Sequence, residues 1–140
     1  EYRAHPVFRE GRLVGSVVSF LDITTRKRSE ERLRESESRF RQLAEAVPQI
    51  VWVTRPDGWH EFFNARWYEY TGLTQEESLG SGWSIPLHPD DHARSRARWA
   101  QATETGDPYE IEYRFRRRDG AYRWFLGRAV PVRDDAGRVV

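Results

Sequence analysis

The hydrophobic pattern changes character several times along the chain. Glycines at 11 and 15 mark a turn, and Val17, Val18, Phe20, Leu21 and Ile23 then predict a strand with two apolar faces. From Thr25 the period lengthens to that of a helix. Leu33, Phe40 and Val47 recur seven residues apart with Leu43 between the last two, a short heptad seam. Around it Arg26, Lys27, Arg28, Arg32, Arg34, Arg39 and Arg41 alternate with Glu30, Glu31, Glu35 and Glu37. Glu30/Arg34 and Glu35/Arg39 have the i,i+4 order that supports an exposed helix. This face is too polar for the core helix of a monomer and suits a two-helix coiled coil, which Pro48 ends.

Beyond Pro48 the segments shorten. QIVWVT (49–54) predicts a strand, Arg55-Pro-Asp-Gly58 a tight turn, and WHEFF (59–63) the returning arm of a hairpin. Asn64 stands where an N-cap belongs, before a short helix, ARWYEYT, closed by Gly72. Thr74-Gln-Glu-Glu77 is a capping box. His88-Pro-Asp-Asp-His92 opens a longer helix, Ala93 to Thr105. Tyr109, Ile111, Tyr113 and Phe115 then share one face of a strand whose other face is charged. Arg118-Asp-Gly120 signals a hairpin, and the return strand has Tyr122, Trp124 and Leu126 on one face and Phe125 and Ala129 on the other. The order of elements predicts an α+β fold, an antiparallel sheet with short helices gathered on one face.

Composition narrows the functional classes. A chain of 140 residues suits one domain with something attached. It carries 23 basic and 22 acidic residues, which gives a polyanion little to bind. Glutamates interleave the arginines of 26–41 and base-stacking aromatics are absent there, so no nucleic-acid partner is expected. The absence of cysteine excludes disulfides, thiolate metal sites, iron–sulfur clusters and cysteinyl-flavin chemistry, and fits a reducing compartment. No apolar run approaches the roughly 20 residues of a membrane span. The expectation is a cytoplasmic segment without membrane contact, in a longer protein free to carry an anchor elsewhere.

The two ends of the chain resemble each other. Arg3-Ala-His-Pro-Val7 matches Arg128-Ala-Val-Pro-Val132, and Gly11-Arg-Leu-Val14 matches Gly137-Arg-Val-Val140. The expectation is a tandem array: residues 1–24 the closing hairpin of a preceding repeat, 25–47 a linker helix, and 48–140 a domain whose final sheet strand lies beyond Val140. Val17 to Leu21, from its own chain or a neighbour's, could take that strand's place.

Several motifs, in family order, resemble the PAS superfamily, in its aromatic-rich branch with an H-P-D-D loop. They are F-R-Q-L-A-E-A-V-P-Q-I-V-W (40–52), the Asp57-Gly58 turn, F-N-A-R-W-Y-E-Y-T-G (63–72), H-P-D-D (88–91), Y-R-F-R-R-R-D-G-A-Y-R-W (113–124), and D-I-T (22–24) before the linker helix. The resemblance implies a five-stranded antiparallel sheet cupping a small cavity. It also implies a sensory or dimerising module of bacterial histidine kinases or diguanylate cyclases, paired as a homodimer through the linker helix and the domain surface, beside further PAS and effector domains.

Candidate sites follow from both readings. Trp52, Phe63, Trp67, Tyr70, Trp83, Tyr113, Phe115 and Trp124 are candidates to line a ligand cavity, though rings of this size also fill a core by themselves. No cofactor is indicated. Residues 65–71 carry no histidine, where haem-binding relatives typically place their ligand, and no signature asks for flavin, which could bind only non-covalently. His88, Asp90, Asp91 and His92 form the densest group of possible metal ligands, but adjacent helical residues diverge, so a helix start is the better reading and no metal is expected. No nucleophile elbow, phosphate loop, kinase or cyclase motif is present, so the segment is read as non-catalytic. Asp22 and Thr24, at the junction of strand and helix, can cap the helix and pair with Arg26 or Arg28; the resemblance makes this junction a signal relay. Leu33, Phe40, Leu43 and Val47 form the expected dimer seam.

Overall fold

The computed structural model describes residues 2–140, in two compact units, the first ending at Gln42 and the second comprising Leu43–Val140. In the first, β1 (Tyr2–Arg9) and β2 (Arg12–Phe20) form an antiparallel hairpin. Its turn is left-handed at both Glu10 and Gly11, with φ of 51° and 76°. Helix α1 (Thr24–Ala46) follows; it belongs to the first unit through Gln42 and to the second from Leu43. The Asp22 carboxylate accepts the Thr24 N–H at 2.8 Å, one of the donors a helix start leaves unmet. Arg26 does not turn back to Asp22. It reaches Glu30 at 3.7 Å, one helical turn ahead and level with it on the same face.

The second unit opens with a strand half as long as expected. β3 (Trp52–Thr54) pairs with β4 (His60–Phe63), and its start is set by Asn64. The Val51 N–H goes to the Asn64 side chain at 3.0 Å, while the Asn64 N–H goes to the Val51 carbonyl at 3.0 Å, so the ladder proper begins at Trp52. Between Val53 and Thr54 the register slips, and Thr54 lies across from His60 instead of Glu61. This bulge turns both His60 and Phe63 inward, three positions apart, where simple alternation would have opposed them.

The helices then pack against the sheets. α2 (Ala65–Thr71) buries Trp67, whose indole N–H reaches the Ser78 hydroxyl at 2.9 Å, and Ser78 in turn donates to the Thr74 carbonyl at 2.7 Å. α3 (Gln75–Ser78) has the full capping box, Thr74 with Glu77, that its sequence predicts. A 3₁₀ turn at Pro89–Asp91 leads into α4 (His92–Thr105). β5 (Tyr109–Arg116) and β6 (Tyr122–Ala129) close the unit as an antiparallel pair. Tyr109, Ile111, Tyr113 and Phe115 are all buried, as the alternation requires. Gly127 lies under the Tyr113 ring; a Cβ there would stand 2.2 Å from the phenol oxygen, so no larger residue fits. Among the described residues the sheets are three separate pairs, β1–β2, β3–β4 and β5–β6, instead of the single five-stranded sheet the resemblance implies. A groove separates β3 from β6.

Two buried polar groups set how this unit responds to acid. Asp91 was expected to serve the helix start. Its carboxylate instead reaches β5, accepting from Arg114 Nε at 2.9 Å, Arg114 Nη2 at 3.0 Å and the Arg114 N–H at 2.9 Å. The Arg114 side chain holds its pKa well below the usual carboxylate range. His60, 4% exposed, sits in a box of rings, stacked on Phe63 and Trp83 with Trp52 and Trp99 tilted against it. Desolvation lowers its pKa from 6.5 to about 4, so the imidazole is neutral at pH 7.

The two groups act in different pH windows. A depressed histidine contributes stability that is complete above pH 6.5 and declines toward pH 4, as the unfolded chain takes up a proton the folded one refuses. The Asp91 contribution is complete above the ordinary carboxylate pKa and fails only below it. Urea unfolding followed from pH 7 to 4 should therefore show a loss of roughly 3 kcal/mol attributable to His60. His60→Phe, which keeps a ring in the box, should flatten that slope. Asp91→Ala should cost roughly 2 kcal/mol at pH 7, because it removes three hydrogen bonds to Arg114 and leaves the guanidinium only the longer contact to Asp90 at 3.5 Å.

Candidate functional site

The inner faces of β4, β5 and β6, with α2, enclose an open cavity of about 1090 Å³. Trp52, Phe63, Trp67, Tyr70, Trp83, Tyr113 and Phe115 all line it. The walls are held by ring contacts: Phe63 stacks on Trp67 at 4.7 Å, Trp67 meets Phe115 edge-on at 5.2 Å, and Tyr70 meets Phe125 edge-on at 4.9 Å. Tyr70 also donates its hydroxyl to the Phe115 carbonyl at 3.1 Å, fixing α2 to β5.

Trp124 is not part of this wall. It pairs with Arg114 across the ladder, so it shares the outer face of β6, is 65% exposed and lies under the Arg114 guanidinium at 5.1 Å. Its neighbour Phe125 faces the cavity in its place. Period-two alternation already put Trp124 and Phe125 on opposite faces; only the choice of face was wrong.

The chemistry of the cavity comes from residues that sequence reasoning passed over. His60 lines the cavity, with Nδ1 buried in the wall and without a hydrogen-bond partner among the described residues. Burial raises the Tyr109 phenol to about 12 and raises that of Tyr113 as well, so both stay protonated. The charged lining residues include Arg118 and three arginines that are already paired. Arg66 holds Glu69 at 2.8 Å, Arg128 holds Glu110 at 2.8 Å, and Arg117 holds Asp119. The lining is mostly aromatic, with paired charges, Arg118 and a small number of neutral polar groups.

Asn64 is the second omission. It was expected to cap α2, and its side chain makes no capping bond. It is fully buried, and its amide is spent on three backbone groups of residues 44–51 at once. Nδ2 donates to the Ala44 carbonyl at 3.0 Å and to the Gln49 carbonyl at 2.9 Å, and Oδ1 accepts from Val51. Glu45 supplies the capping bond instead, its carboxylate accepting the Ala65 N–H at 2.9 Å. The last turn of α1 is thus fastened to the residue next to Phe63 in the cavity wall. The sequence signal was present in Phe63-Asn64, but a local cap and a tertiary tie use the same residue type.

The remaining sequence-selected residues lie elsewhere. Asp22 and Thr24 bond to each other at the start of α1, and the Thr24 hydroxyl and N–H hold the Asp22 carboxyl below its ordinary pKa. Arg28 stands exposed on the first turn. Leu33, Phe40 and Leu43 are exposed on α1, with Val47 exposed just past its end. His88 accepts the Asp90 N–H at 3.3 Å and meets Tyr122 edge-on at 4.7 Å. Among the described residues no group of three His, Asp or Glu could hold a metal ion, and no helix is long and apolar enough to cross a membrane.

Comparison with known proteins converges on one family. The sequence profile of the PAS fold matches residues 60–140. An uncharacterized protein, y4lL, of Sinorhizobium fredii is 35% identical over 120 residues, covering 86% of this chain and 14% of that protein. The peroxide stress-activated histidine kinase mak1 of Schizosaccharomyces pombe is 32% identical over 143 residues, covering 87% of this chain and 8% of that one. The chain therefore spans only a small part of the length of either relative. Among solved structures, the N-terminal domain of a diguanylate cyclase with a PAS/PAC sensor from Marinobacter aquaeolei is similar with a TM-score of 0.51 and 28% identity, over 58% of this chain and 75% of that one. With an aromatic cavity bounded by antiparallel strands and short helices, and a family profile that matches more than half its length, the chain belongs to the PAS fold family.

Proposed function

We propose that this sensory PAS module reads a small, flat ligand in its aromatic cavity and passes the change to α1. The observation that carries this reading is the open cavity itself, about 1090 Å³ and lined by Trp52, Phe63, Trp67, Tyr70, Trp83 and His60 among others. Rings of this size would fill a core by themselves if no space were kept for a ligand. The mostly aromatic lining and its stacked rings favour a planar ligand.

The output side rests on Asn64 and the seam. Ligand displacement of Phe63 would move Asn64, and with it the last turn of α1. Leu33, Phe40, Leu43 and Val47, exposed at heptad spacing, suit pairing of α1 with a second copy. In this reading 1–24 closes a preceding repeat, 25–47 is the linker and 48–140 the sensor, itself non-catalytic. The larger cytoplasmic protein then carries a histidine kinase or diguanylate cyclase effector. Relatives named as a histidine kinase and as a diguanylate cyclase support that choice.

Two measurements test the halves separately. Mass spectrometry of the supernatant after denaturing the purified chain should find a stoichiometric small molecule. His60→Leu should lose it while keeping its far-ultraviolet circular dichroism. A chain without any bound molecule would favour a ligand-free dimerisation spacer. For the seam, Leu33→Cys and Phe40→Cys should each oxidise to a covalent dimer, whereas Glu31→Cys, on the opposite face of α1, should not. Equal cross-linking at all three would remove the seam.

A further inference from the structure

The outer face of β5 and β6 is a grid of four rows. Glu110 stands opposite Arg128 in the ladder, Glu112 opposite Leu126, Arg114 opposite Trp124 and Arg116 opposite Tyr122. These residues alternate with the buried Tyr109, Ile111, Tyr113 and Phe115 of β5 and with Phe125 and Gly127 of β6, so they share the outer face of the pair. Tyr122, Trp124 and Leu126 make an exposed apolar column on this otherwise charged face.

The rows are graded. On this face β5 is acidic at its start, Glu110 and Glu112, and basic at its end, Arg114 and Arg116. The side chains of Glu112 and Arg116 have no hydrogen-bond or ion-pair partner among the described residues. A strand pair graded in this way is complementary to itself when reversed. Two copies of the face can be laid together by a two-fold axis lying in the interface, either across the strands or along them. An axis across the strands sets β5 on the partner's β5, running the opposite way, and inverts the order of the rows. Glu110 then faces the partner's Arg116, Glu112 the partner's Arg114, Trp124 the partner's Leu126 and Tyr122 the partner's Arg128. Every charge meets its opposite or a ring, and the apolar residues meet at the centre. An axis along the strands would set the Glu112 carboxylate on the partner's Leu126 instead, at a cost in desolvation.

We propose that the outer face of β5 and β6 is an interface for a second copy of the chain, the same patch on both copies, with the facing strands antiparallel. It lies wholly within the second unit and does not depend on the α1 seam. The patch is small, in the range of transient contacts, so association is weak and depends on concentration. Arg114 is also committed to Asp91, which leaves the outer contact, Glu110 with the partner's Arg116, as the one whose charges can be altered without loosening the domain.

Charge reversal reads the register. All chains in the experiment carry Leu33→Arg at an exposed position of α1, which takes the seam out of the measurement. Sedimentation equilibrium of that chain should show a weak dimer. Glu110→Arg should weaken it at least tenfold, and so should Arg116→Glu, because each sets like charges against each other twice in one dimer. An equimolar mixture of the two variants should regain the lost association as a heterodimer, since both contacts are again between opposite charges. Far-ultraviolet circular dichroism of each variant should match that of the Leu33→Arg chain. A Leu33→Arg chain that stays monomeric at the highest concentrations reached would overturn the proposal. So would single reversals without effect, or a mixture that associates no better than either variant alone.

Discussion

One buried amide organises the sensory unit. Asn64 uses both amide hydrogens and its oxygen to hold Ala44, Gln49 and Val51, three points on a segment that would otherwise leave the end of α1 as an unanchored loop. A fully buried side chain with its hydrogen-bonding capacity met is a strong constraint, since losing any partner exposes a desolvated group. The consequences spread from there. β3 starts at Trp52 because Val51 is committed to Asn64, and α2 begins on Glu45 because the Asn64 side chain faces the other way. Phe63, its neighbour, is set to stack between His60 and Trp67.

The cavity follows from that placement together with the β4 bulge. Inward positions at His60 and Phe63 put an imidazole inside a box of four rings, where only its neutral form is tolerated. The opposite wall is β5, kept in place by the Asp91–Arg114 pair, so the H-P-D-D loop works at a distance from the cavity as a clamp between α4 and the sheet. Packing and function are linked here by geometry: the rings that stiffen the walls by stacking are the ones that line the cavity.

Much of this was legible in the sequence. The alternation of Tyr109, Ile111, Tyr113 and Phe115 gave the buried face of β5, and the Thr74–Glu77 capping box gave α3, because both are local patterns. Seven of the eight aromatic residues selected for the cavity line it. What escaped depends on tertiary context. The bulge that turns His60 inward breaks the period by one residue, which no alternation rule foresees. Asn64 stood at an N-cap position, and only the arrival of α1 decides that its amide serves Ala44 and Gln49. Trp124 illustrates a different limit, since alternation separates two faces of a strand without saying which is inner.

The account depends most on Asn64 as the tie between the cavity wall and the end of α1. Hydrogen exchange, resolved by residue, of Asn64→Asp against the unaltered chain tests it most directly. The variant keeps an acceptor for Val51 but loses both donations and sets a carboxylate against two carbonyls. The account predicts faster exchange concentrated in the last turn of α1 and residues 47–51, with protection of β5 and β6 preserved. A uniform loss across the unit, or unchanged exchange at the end of α1, would contradict it.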